Sequence, residues 1–194
     1  MESLYESLLD DFDTINSKID PKEEIKRFLK DNYSGAYIIS DKLNKDGLCE
    51  VSAIGNIKVK NLKITSLTNN LFVWGKVGGT FNCNSCQSLT SLEGAPKIVG
   101  RNFDCSYTSI TSLKGAPEKV GGGFLCCDCY SLTSLEGASE KVGGNFDCSY
   151  CKSLPSLEGA PKEVGGDFDC KNCKNKFIVF DVRSISIVEG HIYV

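Results

Sequence analysis

Apolar residues return along most of this chain at a nearly constant interval of 21 or 22 residues. Each unit has a Val followed by Gly, a Phe four residues after that Val, and a Cys two residues after the Phe. A second Cys, replaced by Thr108 in one unit, precedes a pair of Leu or Ile residues. Self-similarity at a fixed period of this length is typical of stacked repeat proteins. The Phe positions are Phe81, Phe103, Phe124, Phe146 and Phe168.

The pattern within one unit, V-x-x-x-F-x-C-x-x-C-x-x-L-x-x-L, predicts one short strand and a long connection. The Phe and the first Cys lie two residues apart, so both side chains point to the same face of a strand and into a core. The rest of the unit contains Gly and usually Pro, which predicts an extended or polyproline-like convex side without a full helix. Because a unit buries its apolar residues only against its neighbours, we expect an α+β repeat solenoid with a curved parallel β-sheet.

The regular units continue in weaker form towards both ends of the array. Residues 55–59 copy the strand position upstream, and residues 188–194 match residues 164–170 position by position downstream. We therefore assign residues 55–194 to the solenoid, with a degenerate first and last unit.

Residues 1–54 lack the repeat and are expected to form an N-terminal cap of two helices and a hairpin. The second helix should begin after Asp20, with Pro21 at its first position, and end near Asn32. Two apolar segments around residues 44–47 predict the hairpin. The first helix presents an apolar stripe that suits either packing on the first repeat or binding in a partner's groove. Its members are Leu4, Leu8, Phe12 and Ile15.

The units resemble the short form of the leucine-rich repeat, L-x-x-L-x-L-x-x-(N/C)-x-L, with the second Cys at its Asn/Cys position. Residues 156–170, SLEGAPKEVGGDFDC, are similar to the units of leucine-rich-repeat proteins from bacteriophage and prophage genomes. This resemblance covers residues 32–173 and implies a horseshoe-like fold and a phage or prophage origin. It implies no catalytic activity.

Composition argues against several classes of function. The 194 residues carry a net charge of −3, which disfavours binding to nucleic acid or to an anionic membrane, because both need a cationic surface. The acidic N-terminus differs from a secretory signal peptide, so we expect a cytoplasmic protein with reduced thiols, in the host bacterium if phage-encoded. The single His leaves little material for acid–base chemistry, and we expect neither an enzyme nor a cofactor.

The cysteines allow two interpretations. Cys148-x-x-Cys151 and Cys170-x-x-Cys173, eighteen residues apart, match the ligand spacing of a zinc site. The repeat explains the same spacing, because the first Cys of each pair follows a core Phe, and Thr108 replaces one member without breaking the period. Buried, reduced thiols are the favoured interpretation, and a metal site is the alternative.

A candidate binding surface lies on the concave face, at the outward position between each Phe and the following Cys. Tyr107 and Tyr150 flank this column, each three residues after an Asp. Carboxylates beside Tyr suit a partner protein with a basic surface, since Tyr is enriched at interfaces. A solvated face on an acidic protein is the alternative. The column consists of Asn82, Asp104, Leu125, Asp147 and Asp169.

These observations predict a non-enzymatic protein-interaction module. The phage resemblance implies an accessory protein that modulates or inhibits a host bacterial protein, with anti-defence inhibitors, including the anti-CRISPR type, as one class. Two alternatives stay open: a structural or virion-associated protein that assembles through its ends, and a cysteine-based zinc protein.

The last three residues, Ile192, Tyr193 and Val194, have the pattern of a strand. An unpaired strand edge predicts a homodimer or a docked partner at this end. In the alternative, residues 177–182 fold back and cover the edge.

Overall fold

The computed structural model describes residues 20–194, and the first helix expected from the sequence lies outside the described residues. Helix α1 (Pro21–Asn32) begins after Asp20, whose side chain accepts a hydrogen bond from the backbone N–H of Lys22 at 2.9 Å. This N-cap contact satisfies one of the donors that a helix start leaves unpaired. Ile25 and Leu29 are buried and hold the helix against the first strands.

Two antiparallel pairings close the N-terminal end of the molecule. Strands β2 (Ile38–Leu43) and β3 (Cys49–Ala53) form the hairpin that the sequence predicts. Strand β1 (Tyr33–Ser34) runs antiparallel to β4 (Ile57–Val59). Since β1 and β2 are the outermost strands of their sheets, the first parallel strands are covered at this end.

From β3 onward the chain winds through seven coils within residues 20–194, each giving one strand to each of two parallel sheets. Sheet A contains β4 and then β6 (Phe81–Asn82), β8 (Phe103–Asp104), β10 (Phe124–Leu125), β12 (Phe146–Asp147), β14 (Phe168–Asp169) and β16 (Ile192–Tyr193). Sheet B contains β3 and then β5 (Phe72–Val77), β7 (Ile98–Val99), β9 (Lys119–Val120), β11 (Lys141–Val142), β13 (Glu163–Val164) and β15 (Ile187–Val188). We number the coils 1 to 7 in this order, so that coil 7 holds β15 and β16.

The register places identical repeat positions side by side. In sheet A each Phe pairs with the Phe of the next coil, and Ile57 and Ile192 occupy that position in the degenerate end coils. The five Phe side chains are fully buried, with neighbouring ring centroids 5.1 to 6.0 Å apart. The structure thus confirms a solenoid of in-register parallel strands whose core is continuous from coil to coil.

The sequence predicts an extended or polyproline-like side opposite the strand, and the structure adds a second parallel sheet, sheet B. From β7 onward, the Val before each Gly lies in a two-residue strand. The following Gly donates its N–H to the previous coil, as Gly143 does to the Val120 carbonyl at 3.0 Å. Backbone groups this close to a core need such partners. A Cβ on Gly143 would lie 2.3 Å from the carbonyl oxygen of Gly121, so the Gly column permits the coils to stack at this corner.

The C-terminal end carries no antiparallel cover among the described residues. Residues 177–182, which the sequence allowed to fold back over the edge, lead into and form most of the short helix α2 (Val179–Arg183), which precedes β15 and contacts β16. Val182 is buried in the core. Strands β15 and β16 remain the terminal strands of sheets B and A.

Candidate binding surface

The outward column of sheet A lies in one continuous row, as the repeat period predicts. Cross-strand pairing joins Asn82 to Asp104, then Leu125, Asp147 and Asp169, and each of the five is partly buried. Tyr193 continues the row opposite Asp169. The sequence-based column omitted this Tyr, although the match between residues 188–194 and 164–170 placed it there.

The Asn and Asp side chains of this row have a local structural role. In four coils the side-chain Oδ1 accepts a hydrogen bond from the backbone N–H two residues later, at 2.9 to 3.1 Å. This Asx turn starts the bend that follows each strand. The side chain of Leu125 has no hydrogen-bond acceptor and cannot form this turn. The preference for Asn or Asp at this position is therefore explained in part by the turn, without any partner. The four acceptors are Asn82, Asp104, Asp147 and Asp169.

Neighbouring groups occupy most of the remaining carboxylate oxygens. Oδ2 of Asp104 accepts hydrogen bonds from the amides of Asn82 and Asn84 at 3.2 and 3.1 Å. Oδ2 of Asp169 lies 3.1 Å from Nζ of Lys171. Within residues 20–194, Oδ2 of Asp147 makes no hydrogen bond or ion pair, so this carboxylate is the best placed of the three to meet an external cation.

A second row, in the turns that follow the strands, has an unusual backbone. Five residues adopt a left-handed conformation with φ between 55° and 62°. Asn and Asp tolerate this region, whereas a bulky side chain there is a genuine outlier. Tyr107 and Tyr150 nevertheless occupy it with φ of 57° and 59°, and each is almost half exposed. The row consists of Ser85, Tyr107, Asp128, Tyr150 and Asn172.

The ladder of hydrogen bonds between coils fixes this conformation. The N–H of Tyr107 donates to the carbonyl of Cys127 at 3.0 Å, and the N–H of Tyr150 donates to the carbonyl of Lys171 at 2.8 Å. Since the next coil holds each turn in place, the backbone cannot relax to suit the side chain. The two Tyr rings are thus displayed on a rigid frame.

Polar neighbours orient the exposed aromatic side chains. Asp128 accepts a hydrogen bond from the hydroxyl of Tyr130 at 3.0 Å, and this bond raises the pKa of Tyr130. Tyr107, Asp128 and Tyr130 line a groove of about 330 Å³. Nζ of Lys171 lies 4.7 Å from the ring centroid of Tyr193. Tyr130 was also missed at the sequence level, because its position is polar in the other coils.

The cysteines pack as part of the core and link adjacent coils. Burial raises the pKa of Cys105 and Cys126 well above the usual range. In three coils the second thiol points to the preceding coil, and Sγ of Cys129 and Cys151 lie 3.3 and 3.2 Å from the carbonyl oxygens of Cys105 and Cys126. Thr108 instead donates to Cys105 of its own coil at 2.7 Å. The C-x-x-C spacing is explained by these two packing positions, one for each Cys of the pair.

Residues 20–194 contain no group of three or more His, Cys, Asp or Glu side chains arranged to hold a metal ion. In the same part of the chain, no helix has the length and apolar character needed to cross a membrane.

No protein-family model, curated protein or solved structure matches this chain. The rows of side chains on sheet A are therefore the basis for the functional argument.

Proposed function

We propose that this chain is a non-enzymatic protein-binding module that binds its partner on the outward face of sheet A and the turns beyond it. One observation carries the proposal: Tyr107 and Tyr150 sit at left-handed backbone positions where Tyr costs about 1–2 kcal/mol of stability. The equivalent residues Asp128 and Asn172 are types that tolerate this conformation. A costly residue type that is also exposed has its best explanation in binding.

The chemistry of the row defines the partner. Exposed Tyr side chains provide contact area at low entropic cost, and the free Oδ2 of Asp147 adds a negative charge in the same coil as Tyr150. A protein surface with Lys or Arg near an apolar patch fits both features. The similarity of the units to phage-encoded repeats makes a host bacterial protein the natural partner, with modulation or inhibition of that protein as the outcome.

The test replaces both Tyr residues by the residue type that suits the turn. Tyr107→Asn together with Tyr150→Asn should raise the free energy of unfolding by about 1 kcal/mol per site, measured by urea denaturation. The same variant, immobilised on a support and incubated with host-cell lysate, should capture at least about tenfold less of the partner than the parent chain does, since interface Tyr residues are frequent hot spots. Quantitative mass spectrometry measures the capture.

Two matched variants separate binding from folding. Tyr107→Phe with Tyr150→Phe keeps both rings and should retain capture. Asp147→Asn keeps the Oδ1 acceptor for the Ser149 N–H but removes the charge, so it should reduce capture and its dependence on salt. Unchanged capture by the double Asn variant would refute this binding surface.

A further inference from the structure

The last coil is incomplete as a packing unit. Val188 and Ile192 are only partly buried, whereas the residues in register with them, Val164 and Phe168, are 1% and 0% exposed. Large apolar side chains are also exposed in this segment, including Phe180 at 75% and Ile187 at 71%. An exposed apolar surface of this kind, next to strand edges, indicates a site of association.

The backbone of coil 7 has donors and acceptors that face outward from the stack. The N–H groups of Ile187 and Glu189 donate to coil 6, and the carbonyls of His191 and Tyr193 accept from coil 6. Successive backbone groups of a strand point to opposite sides, so the N–H and C=O of Val188 and of Ile192 point away from coil 6. These four groups form two open strand edges that meet at the Gly190 corner.

We propose that two copies of this chain pair end to end through coil 7, antiparallel, about a two-fold axis that passes through Gly190. Strands β15 and β16 lie on either side of this corner. A rotation by half a turn about an axis through this corner therefore exchanges the two strands. In each sheet, β15 of one copy then lies antiparallel to β16 of the other. Val188 then faces Ile192 of the second copy, and the two residues exchange both backbone hydrogen bonds.

The residues on either side of Gly190 are complementary under this symmetry. Val188 and Ile192 both point inward and would join the two cores across the interface. Ile187 and Tyr193 both point outward and form a β-branched–aromatic cross-strand pair, which is a favourable combination. Glu189 faces His191 of the second copy on both sides of the corner, and within its own chain Nδ1 of His191 lies 3.5 Å from Oδ1 of Asp167. Every pair is attractive in the same register.

The outward row of sheet B ends at Ile187. In the preceding coils the position of Ile187 is exposed and is held by Ile98, Lys119, Lys141 and Glu163. At the open edge, Ile187 would lie opposite Tyr193 of another copy. The pairing also closes on itself, since the N-terminal ends are covered by β1 and β2, and it forms dimers rather than filaments.

Sedimentation equilibrium of the full chain, from about 1 μM to about 1 mM, tests this proposal. The mass should rise with concentration from 21.1 kDa to twice that value. His191→Glu places Glu opposite Glu at two sites and should weaken the dimer at least about tenfold. Glu189→Lys combined with His191→Glu places Lys opposite Glu at both sites and should bring the dissociation constant within about threefold of the parent chain. Ile187→Lys should weaken the dimer without unfolding coil 7, because Lys119 and Lys141 occupy equivalent positions.

Thr90→Glu adds the same charge at an exposed position far from coil 7 and should leave the dimer unchanged. A monomer at every concentration would overturn the proposal; slow amide hydrogen exchange at Val188 and Ile192 in that monomer would show that another segment covers the edge. A dimer that the charge exchange fails to restore would overturn the register. All of these measurements use the purified chain alone, so they are independent of partner binding on sheet A.

Discussion

The two ends of the solenoid solve the same physical problem in opposite ways. At the N-terminal end, β1 and β2 pair antiparallel with the first coils and α1 covers the core, so both sheets end on strands of reversed direction. At the C-terminal end, β15 and β16 are parallel strands with open edges. A stacked array needs caps because each coil is stabilised only by its neighbours. The difference shows that capping must be encoded separately from the repeat.

The capped end is also where the aromatic side chains concentrate. Phe28, Tyr33, Phe72, Trp74 and Phe81 form a connected cluster with ring centroids 5.3 to 6.3 Å apart. Large rings bury more surface per residue than the Val and Cys of the regular coils. At the open end the aromatic side chain of Phe180 is exposed instead. Stability should therefore be unequal along the array.

The largest expected effect comes from removing an aromatic side chain at the capped end. Trp74→Ala should lower the free energy of unfolding by about 3–5 kcal/mol, because Trp74 is 2% exposed and its loss leaves a cavity in the cluster. Phe180→Ala, the matched change at the open end, should alter stability by less than about 0.5 kcal/mol in dilute solution. Urea denaturation monitors both. Equal losses would contradict the asymmetry between the ends.

Thiol reactivity should distinguish the open end from the interior of the array. Cys173 and Cys127 are both partly exposed, but a hydrogen bond with Cys148 lowers the pKa of Cys173, whereas burial raises the pKa of Cys127 to about 11. Because the thiolate is the reactive species, Cys173 should react with iodoacetamide at least about tenfold faster near neutral pH. Peptide mass spectrometry after brief labelling measures both rates. Faster labelling of Cys127 would be inconsistent with these pKa directions.

The smallest expected effect concerns the helix that closes the capped end. Asp20→Ala should destabilise the chain by about 1 kcal/mol, because it removes the acceptor for the Lys22 N–H. Asp20→Asn keeps an oxygen acceptor and should cost less than half as much. Thermal denaturation compares the two variants. If both are neutral, α1 contributes through Ile25 and Leu29 alone.

The period of Phe, Cys and Leu was sufficient to predict the stacking, the inward positions and the outward row of sheet A. The same reasoning missed the strands of sheet B from β7 onward, because they are two residues long and their outward residues, such as Ile98, Lys119 and Glu163, share no chemical type. Strand β1 was missed for the same reason: Tyr33–Ser34 is too short to show an alternating pattern.

The candidate surface was predicted in position but only partly in character. The Asx turns that use Asp104 and Asp169 depend on the bend after each strand, and the left-handed conformation of Tyr107 depends on the hydrogen bond that its N–H donates to the next coil. Neither can be inferred from residue spacing. Most carboxylate oxygens of the acidic column therefore already have hydrogen-bond partners within the chain, and the attraction of this column for a basic partner stays a prediction.

The in-register ladder also fixes the spacing between equivalent residues along the array. Neighbouring strands of a sheet lie about 4.8 Å apart, and Tyr107 and Tyr150 are two coils apart, so their backbones are separated by about 9.6 Å along the stack. Deleting or duplicating one whole coil would change that separation by one strand spacing while every remaining contact keeps its register. The distance between recognition groups on this scaffold can vary only in such steps, which restricts the partners to which it could adapt through a gain or loss of coils.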